Sequence, residues 1–147
     1  MLTLMQNRGM NFNYSASSPV KILVVDDYPN AAALLARSLA RLDSRVEVVS
    51  ATSALQALEC VQDSPADIVI TDMDMPEMTG LELIEKLQEH RAGSRIVSVL
   101  FTASHAPELE TRARHLNVRE VLHKPVHPER VCQIISQVLE EMDRELT

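Results

Sequence analysis

At 147 residues the chain holds one ordinary domain and little more. Hydrophobic residues make up 46% and charged residues 24%, which excludes wholesale disorder and fibrous repeats. The 14 Lys and Arg face 21 Asp and Glu, a formal charge of -7 whose field repels phosphate backbones and argues against a nucleic-acid-binding domain.

Met1 to Met5 is apolar, but Gln6, Asn7 and Arg8 interrupt it before a secretory core of about 7–15 residues can form. Asn11 to Ser18 is polar, small and aperiodic. Residues 1–19 are therefore expected to form a disordered or flexible leader, and residues 20–146 the domain. No apolar run reaches the roughly 20 residues that span a bilayer, so no membrane segment is expected.

From Val20 onward two kinds of segment alternate. Lys21 to Val25 is a continuous apolar run of the kind shown by a strand buried on both faces. Pro29 and Asn30 open a helix with Leu34, Leu35, Leu39 and Leu42 at helical spacing. Val46 to Ala51 predicts a second strand, and Ser53-x-x-Gln56 is a capping-box signature for the helix through Leu58 and Val61. Ala66 to Thr71 predicts a third strand, with a third helix marked by Leu81, Leu83, Ile84 and Leu87. Ile96 to Phe101, a helix from Pro107 to Leu116, and the short strand Val121 to His123 follow. A last helix begins near Pro128 and turns Val131, Ile134, Ile135, Val138, Leu139 and Met142 inward.

Five strands alternating with five helices predict an α/β fold, (βα)5 and doubly wound: a parallel five-stranded sheet in a three-layer sandwich. With the flavodoxin-like order 2-1-3-4-5, strands 1 and 3 are neighbours at the topological switch point, where such sheets bind ligands outside their carboxyl ends. Asp26 and Asp27 then follow strand 1, Asp72 ends strand 3, Thr102 ends strand 4 and Lys124 follows strand 5. All five meet in one crevice.

Three carboxylates there need an explanation. Two charges about 4 Å apart repel by roughly 4 kcal/mol at an effective dielectric near 20. One lysine cannot offset three anions, so either a carboxyl is protonated or a divalent cation sits among them. Hard oxygen ligands without His or Cys nearby favour Mg2+, commonly completed by a phosphoryl oxygen. Asp72 is the natural nucleophile, since a carboxylate can form an aspartyl phosphate.

Val24-Val25-Asp26-Asp27, Ile70 to Gly80 (ITDMDMPEMTG), Leu100-Phe101-Thr102-Ala103 and His123-Lys124-Pro125 fall in order at the ends of the right strands. On these motifs the chain from Pro19 onward resembles a response-regulator receiver domain of the chemotaxis (CheY-like) type. The resemblance implies that Asp72 accepts a phosphoryl group from a sensor histidine kinase or histidine phosphotransfer protein. It implies that Asp27, Asp72 and the backbone carbonyl of Asp74 bind Mg2+, with Asp26 acting mainly through a water. Thr102 would hydrogen-bond the phosphoryl group, Lys124 would pair with it, and the Lys124–Pro125 bond would be cis. It further implies a cytoplasmic protein that assists its own phosphorylation without being an enzyme, binds a downstream protein target, and is a monomer or a weak phosphorylation-dependent dimer.

One position departs from the family. Receivers commonly carry Tyr or Phe three residues before the lysine, where this chain has Val121. Val has no ring to bury, so two readings remain: Thr102 signals through rearrangement of the loop around Ser104 and His105, which is the expected route, or the output is weak and the protein mainly relays phosphate onward. Two rival functions compete with this reading. A haloacid-dehalogenase-like phosphatase is suggested by Asp72-Met73-Asp74, but there the Asp-x-Asp follows the first strand. A pseudo-receiver docking module is opposed by the five intact site residues. Glu140 to Thr147 leaves no room for an output domain, which points to a stand-alone regulator; as a fragment, the chain would precede a DNA-binding or enzymatic domain.

Met73, Met75 and Met78 read as loop and core packing. His90 reads as a contact with a helix C-terminus, and the five histidines show no paired metal spacing on any one element. Cys60 and Cys132 read as small buried residues in a reducing cytosol.

Overall fold

The computed structural model describes residues 19–91 and 94–146. The expected leader, except for Pro19, lies outside the described residues. Five strands alternate with five helices: β1 (Val20–Val25), α1 (Pro29–Ala40), β2 (Val46–Ala51), α2 (Ala54–Cys60), β3 (Ile68–Asp72), α3 (Gly80–Glu89), β4 (Val97–Thr102), α4 (Pro107–His115), β5 (Glu120–His123) and α5 (Pro128–Leu146). The sheet is parallel in the order β2-β1-β3-β4-β5, so β1 and β3 are neighbours at the switch point, as the sequence predicts.

Strand residues alternate between two cores, one on each face. Ile22, Val24, Ile68, Ile70, Val99 and Phe101 pack with Leu35 and Leu39 of α1 and Val131, Ile134 and Ile135 of α5. Leu23, Val25, Val69 and Leu100 face the other way, against Ala57 of α2, Leu81, Ile84 and Leu87 of α3, and Leu109 and Ala113 of α4. Near-continuous apolar strands are what burial on both faces requires.

Strand bounds shift by a residue or two from those read in the sequence. β3 opens at Ile68, just after Asp67, whose N–H donates to Lys21 O at 2.9 Å, whose carbonyl accepts from Val97 N at 3.0 Å and whose side chain accepts from the Lys21 N–H at 2.9 Å. It extends to Asp72 because that residue still pairs with Phe101. Leu34, one of the leucines at helical spacing on α1, sits 50% exposed. Both cysteines are half-buried free thiols rather than buried core residues.

The helix starts follow their chemistry. Pro29 and Pro107 fill first-turn positions of α1 and α4, where a missing N–H costs nothing. Ser53 Oγ accepts from Gln56 N at 3.1 Å, but the Gln56 side chain returns to Thr52 N at 2.6 Å, so the predicted box closes one residue early. The reciprocal box is on α3, between Thr79 and Glu82. At the end of α4, Asn117 takes the left-handed conformation (φ 58°), Val118 N donates to Ala113 O at 2.9 Å and Asn117 N to Arg114 O at 3.0 Å, a Schellman motif with Asn in the place of Gly. His90 caps α3, its Nδ1 3.0 Å from Lys86 O. Among the described residues no helix is long and apolar enough to cross a membrane.

Candidate functional site

The carboxyl ends of β1, β3, β4 and β5 lie along one edge of the sheet, and the predicted residues converge there. Asp26, Asp27 and Asp72 each direct a carboxylate oxygen to within 4.8 Å of the others. Asp72 closes β3 and is 1% exposed. One of its oxygens, Oδ1, accepts from Asp74 N at 3.0 Å, which folds the Asp74 backbone back over the strand end. The other, Oδ2, takes the Lys124 ammonium at 2.9 Å. Lys124 is aimed by the sheet itself: its N–H donates to Thr102 O at 2.9 Å, continuing the β4–β5 ladder past His123. The Lys124–Pro125 peptide is cis, as the resemblance implies.

Charges in the crevice do not balance. Burial lifts the Asp26 carboxyl above its ordinary value; the Tyr28 N–H opposes this, the Asp72 charge adds to it, Lys124 opposes it, and Asp27 adds again. Burial alone would lower the Lys124 ammonium, but the hydrogen bond to Asp72 and its charge, with Asp26 and Asp74 behind, hold it above the ordinary lysine value. Asp27 carries the clearest sign of a missing partner. Its Oδ1 is buried without a hydrogen bond, and a buried carboxylate oxygen left so is costly. All-oxygen donors, an excess of negative charge and one orphaned oxygen fit a hard divalent cation.

Thr102 is fully buried at the end of β4, and its Oγ1 accepts from Ser104 N at 2.9 Å. The hydroxyl proton is therefore free to be donated elsewhere. Beside the crevice opens a groove of about 530 Å³, lined by Asp26, Tyr28, Lys124 and the apolar Leu34, Leu35 and Val126. Tyr28 and Leu34 are exposed large hydrophobic members of that lining, at 68% and 50%.

Gly80 has no signal of its own in the sequence beyond closing the Asp72–Gly80 motif, yet it shapes the site. A Cβ there would collide with the carbonyl oxygen of Asp72, meet Leu100 Cδ1 at 2.8 Å and lie 3.0 Å from Met73 Cα. Only Gly lets the first turn of α3 sit this close to the end of β3. Met73 and Met75 are buried in that junction and Met78 packs beside them, as expected. Asp72-x-Asp74 follows β3, the third strand, as a receiver requires and the phosphatase reading does not.

Comparison with known proteins agrees with this geometry. Residues 22–136 match the family model described as the response regulator receiver domain. The rice two-component response regulator ORR11 is 34% identical over 123 residues, covering 83% of this chain and 82% of that protein. A CheY-like receiver from Methanospirillum hungatei superposes with a TM-score of 0.75 at 25% identity, over 87% of this chain and 99% of that one. Chemotaxis protein CheY4 of Vibrio cholerae gives 0.71 at 26% identity, over 82% and 99%. With the fold, the strand order and the family model in accord, the chain belongs to the response regulator receiver family.

Proposed function

We propose that this receiver is the phosphoacceptor of a two-component His–Asp phosphorelay. It takes a phosphoryl group on Asp72 from a sensor histidine kinase or histidine phosphotransfer protein, in the cytoplasm, and signals by phosphorylation-dependent binding to a downstream protein. The observation that carries this reading is the buried Asp72 carboxylate, held by Lys124 at 2.9 Å beside an Asp27 oxygen with no partner.

Asp27, Asp72 and the Asp74 carbonyl would hold Mg2+, with Asp26 acting through a water; the ion supplies charge neutralisation for the phosphoryl oxygens. The rest falls to the chain. A carboxylate oxygen of Asp72 attacks phosphorus in line, the donor P–N bond breaks, and the imidazole leaves and takes a proton from solvent. Lys124 stabilises the charge on the transferring group, and the Thr102 hydroxyl donates to one of its oxygens once it arrives. Such a transfer needs positioning and electrostatics more than covalent help, so the protein acts as a substrate that assists its own modification rather than as an enzyme. The groove beside Asp26 and Lys124 offers a donor protein an apolar wall next to the acceptor.

The experiment is labelling by acetyl phosphate followed by intact mass spectrometry. One added phosphate is expected with Mg2+, none with EDTA, and none in Asp72→Asn. Full labelling of Asp72→Asn would overturn the assignment.

A further inference from the structure

No two histidines share metal-ligand spacing along one element, but the fold stacks two of them. The rings of His105 and His123 lie with centroids 4.3 Å apart and planes within 1°. His105 comes from the loop between β4 and α4, and His123 is the last residue of β5. Imidazole lone pairs lie in the ring plane, so two parallel rings do not converge on one metal ion. The stack is a packing contact.

Its position gives it a consequence. His123 pairs with Thr102 across the β4–β5 ladder and directly precedes Lys124, so it is anchored to two groups of the site. His105 is reached from the other side. Thr102 Oγ1 accepts from Ser104 N at 2.9 Å, and Ser104 Oγ accepts from Ala106 N at 3.1 Å. Two consecutive side-chain turns thus run from Thr102 to the start of α4, with His105 between them. Strand alternation puts His123 on the same face of β5 as Val121, the face on which Leu109 and Ala113 of α4 are packed. Where Val121 has no ring, the next inward-facing position supplies one.

We propose that the His105–His123 stack locks the β4–α4 loop in its resting position and opens when Asp72 is phosphorylated, passing the change to α4. The proposal rests on the reading of Asp72 as phosphoacceptor. When the Thr102 hydroxyl turns to donate to a phosphoryl oxygen on Asp72, the Ser104 N–H that is bonded to it is drawn along. That displaces the His105 backbone relative to β5 and pulls the two rings out of register. By linkage, removing the stack shifts the loop toward its displaced position before any phosphoryl group arrives.

The test is NMR of the full chain with Mg2+ and beryllium fluoride, which completes a tetrahedral phosphoryl-like group on a carboxylate oxygen. The ring signals of His105 and His123 are expected to move together, while that of His90, at the end of α3, stays. In His105→Ala the amides of Leu109 and Ala113 are expected to lie already toward their liganded positions, and most of their further response is lost. His105→Phe, which restores a ring, is expected to recover the wild-type response. Acetyl phosphate labels all three proteins. Movement around Thr102 and Lys124 with His105 and His123 unmoved, or a full α4 response in His105→Ala, would overturn this inference alone. No movement near Asp72 at all would overturn the phosphoacceptor reading and this inference with it.

Discussion

Lys124 Nζ lies 2.9 Å from Asp72 Oδ2, and the two ends of this ion pair sit in different surroundings: the Asp72 side chain is 1% exposed and that of Lys124 is 34% exposed. The lysine reaches in from solvent to a buried anion that has two more carboxylates beside it. Lys124→Met is expected to destabilise the metal-free protein by about 1–3 kcal/mol. That is less than the 3–5 kcal/mol for breaking a fully buried pair, because water already screens the ammonium. Urea unfolding in EDTA measures it, and an unchanged midpoint would show that the pair is electrostatically idle.

Asp26 gives a pH dependence of defined sign. Its folded-state carboxyl is raised above the ordinary 3.8, so the stability it contributes is full below 3.8 and is lost as pH rises through the raised value. In EDTA, Asp26→Asn is expected to flatten that fall and to raise the melting temperature at neutral pH by about 2–4 °C, a gain that solvent screening of this half-exposed group holds below about 1 kcal/mol. Asn keeps an acceptor for the Tyr28 N–H, so the turn that leads into α1 survives. Mg2+ is expected to erase the advantage, because the variant binds it less well. A lower melting temperature for the variant in EDTA would identify Asp26 as a structural cap.

Gly80→Ala is expected to cost about 1–3 kcal/mol by overpacking, since the added methyl meets backbone on β3 rather than a movable side chain. It is also expected to slow labelling of Asp72, whose own carbonyl must give way. Thr79→Ala, one residue earlier, removes the capping hydroxyl of α3 and is expected to cost about 1 kcal/mol with labelling unchanged. Equal labelling rates in the two variants would show that Gly80 serves only the helix.

Asn117 tests the end of α4. Asn117→Gly is expected to be nearly neutral, whereas Asn117→Val should cost about 1–2 kcal/mol because a β-branched residue resists the left-handed conformation. Thermal melts of the pair decide it.

Much of this was legible in the sequence, for a physical reason. Periodicity reports burial, so apolar runs such as Lys21–Val25 and the i, i+3, i+4 pattern of α5 mark elements whose both faces or one face are covered. Once strand order is known, the carboxyl ends bring Asp26, Asp27, Asp72, Thr102 and Lys124 together without further information. Leu34 shares the helical spacing of Leu35 and Leu39 yet lines a groove, since spacing cannot tell the covered side of a helix from the rim of a groove. Gly80 and the His105–His123 stack were missed because each is a contact between elements distant in sequence, and neither leaves a pattern along the chain.

The most direct measurement is to locate the acyl phosphate itself. After labelling with acetyl phosphate and Mg2+, borohydride reduces an aspartyl phosphate to homoserine, which peptide mass spectrometry then places in the sequence. Homoserine at residue 72, absent when EDTA is present, is the result expected. Homoserine at Asp26, Asp27 or Asp74 in its place, or no reduced residue in a protein that carries phosphate, would contradict the account.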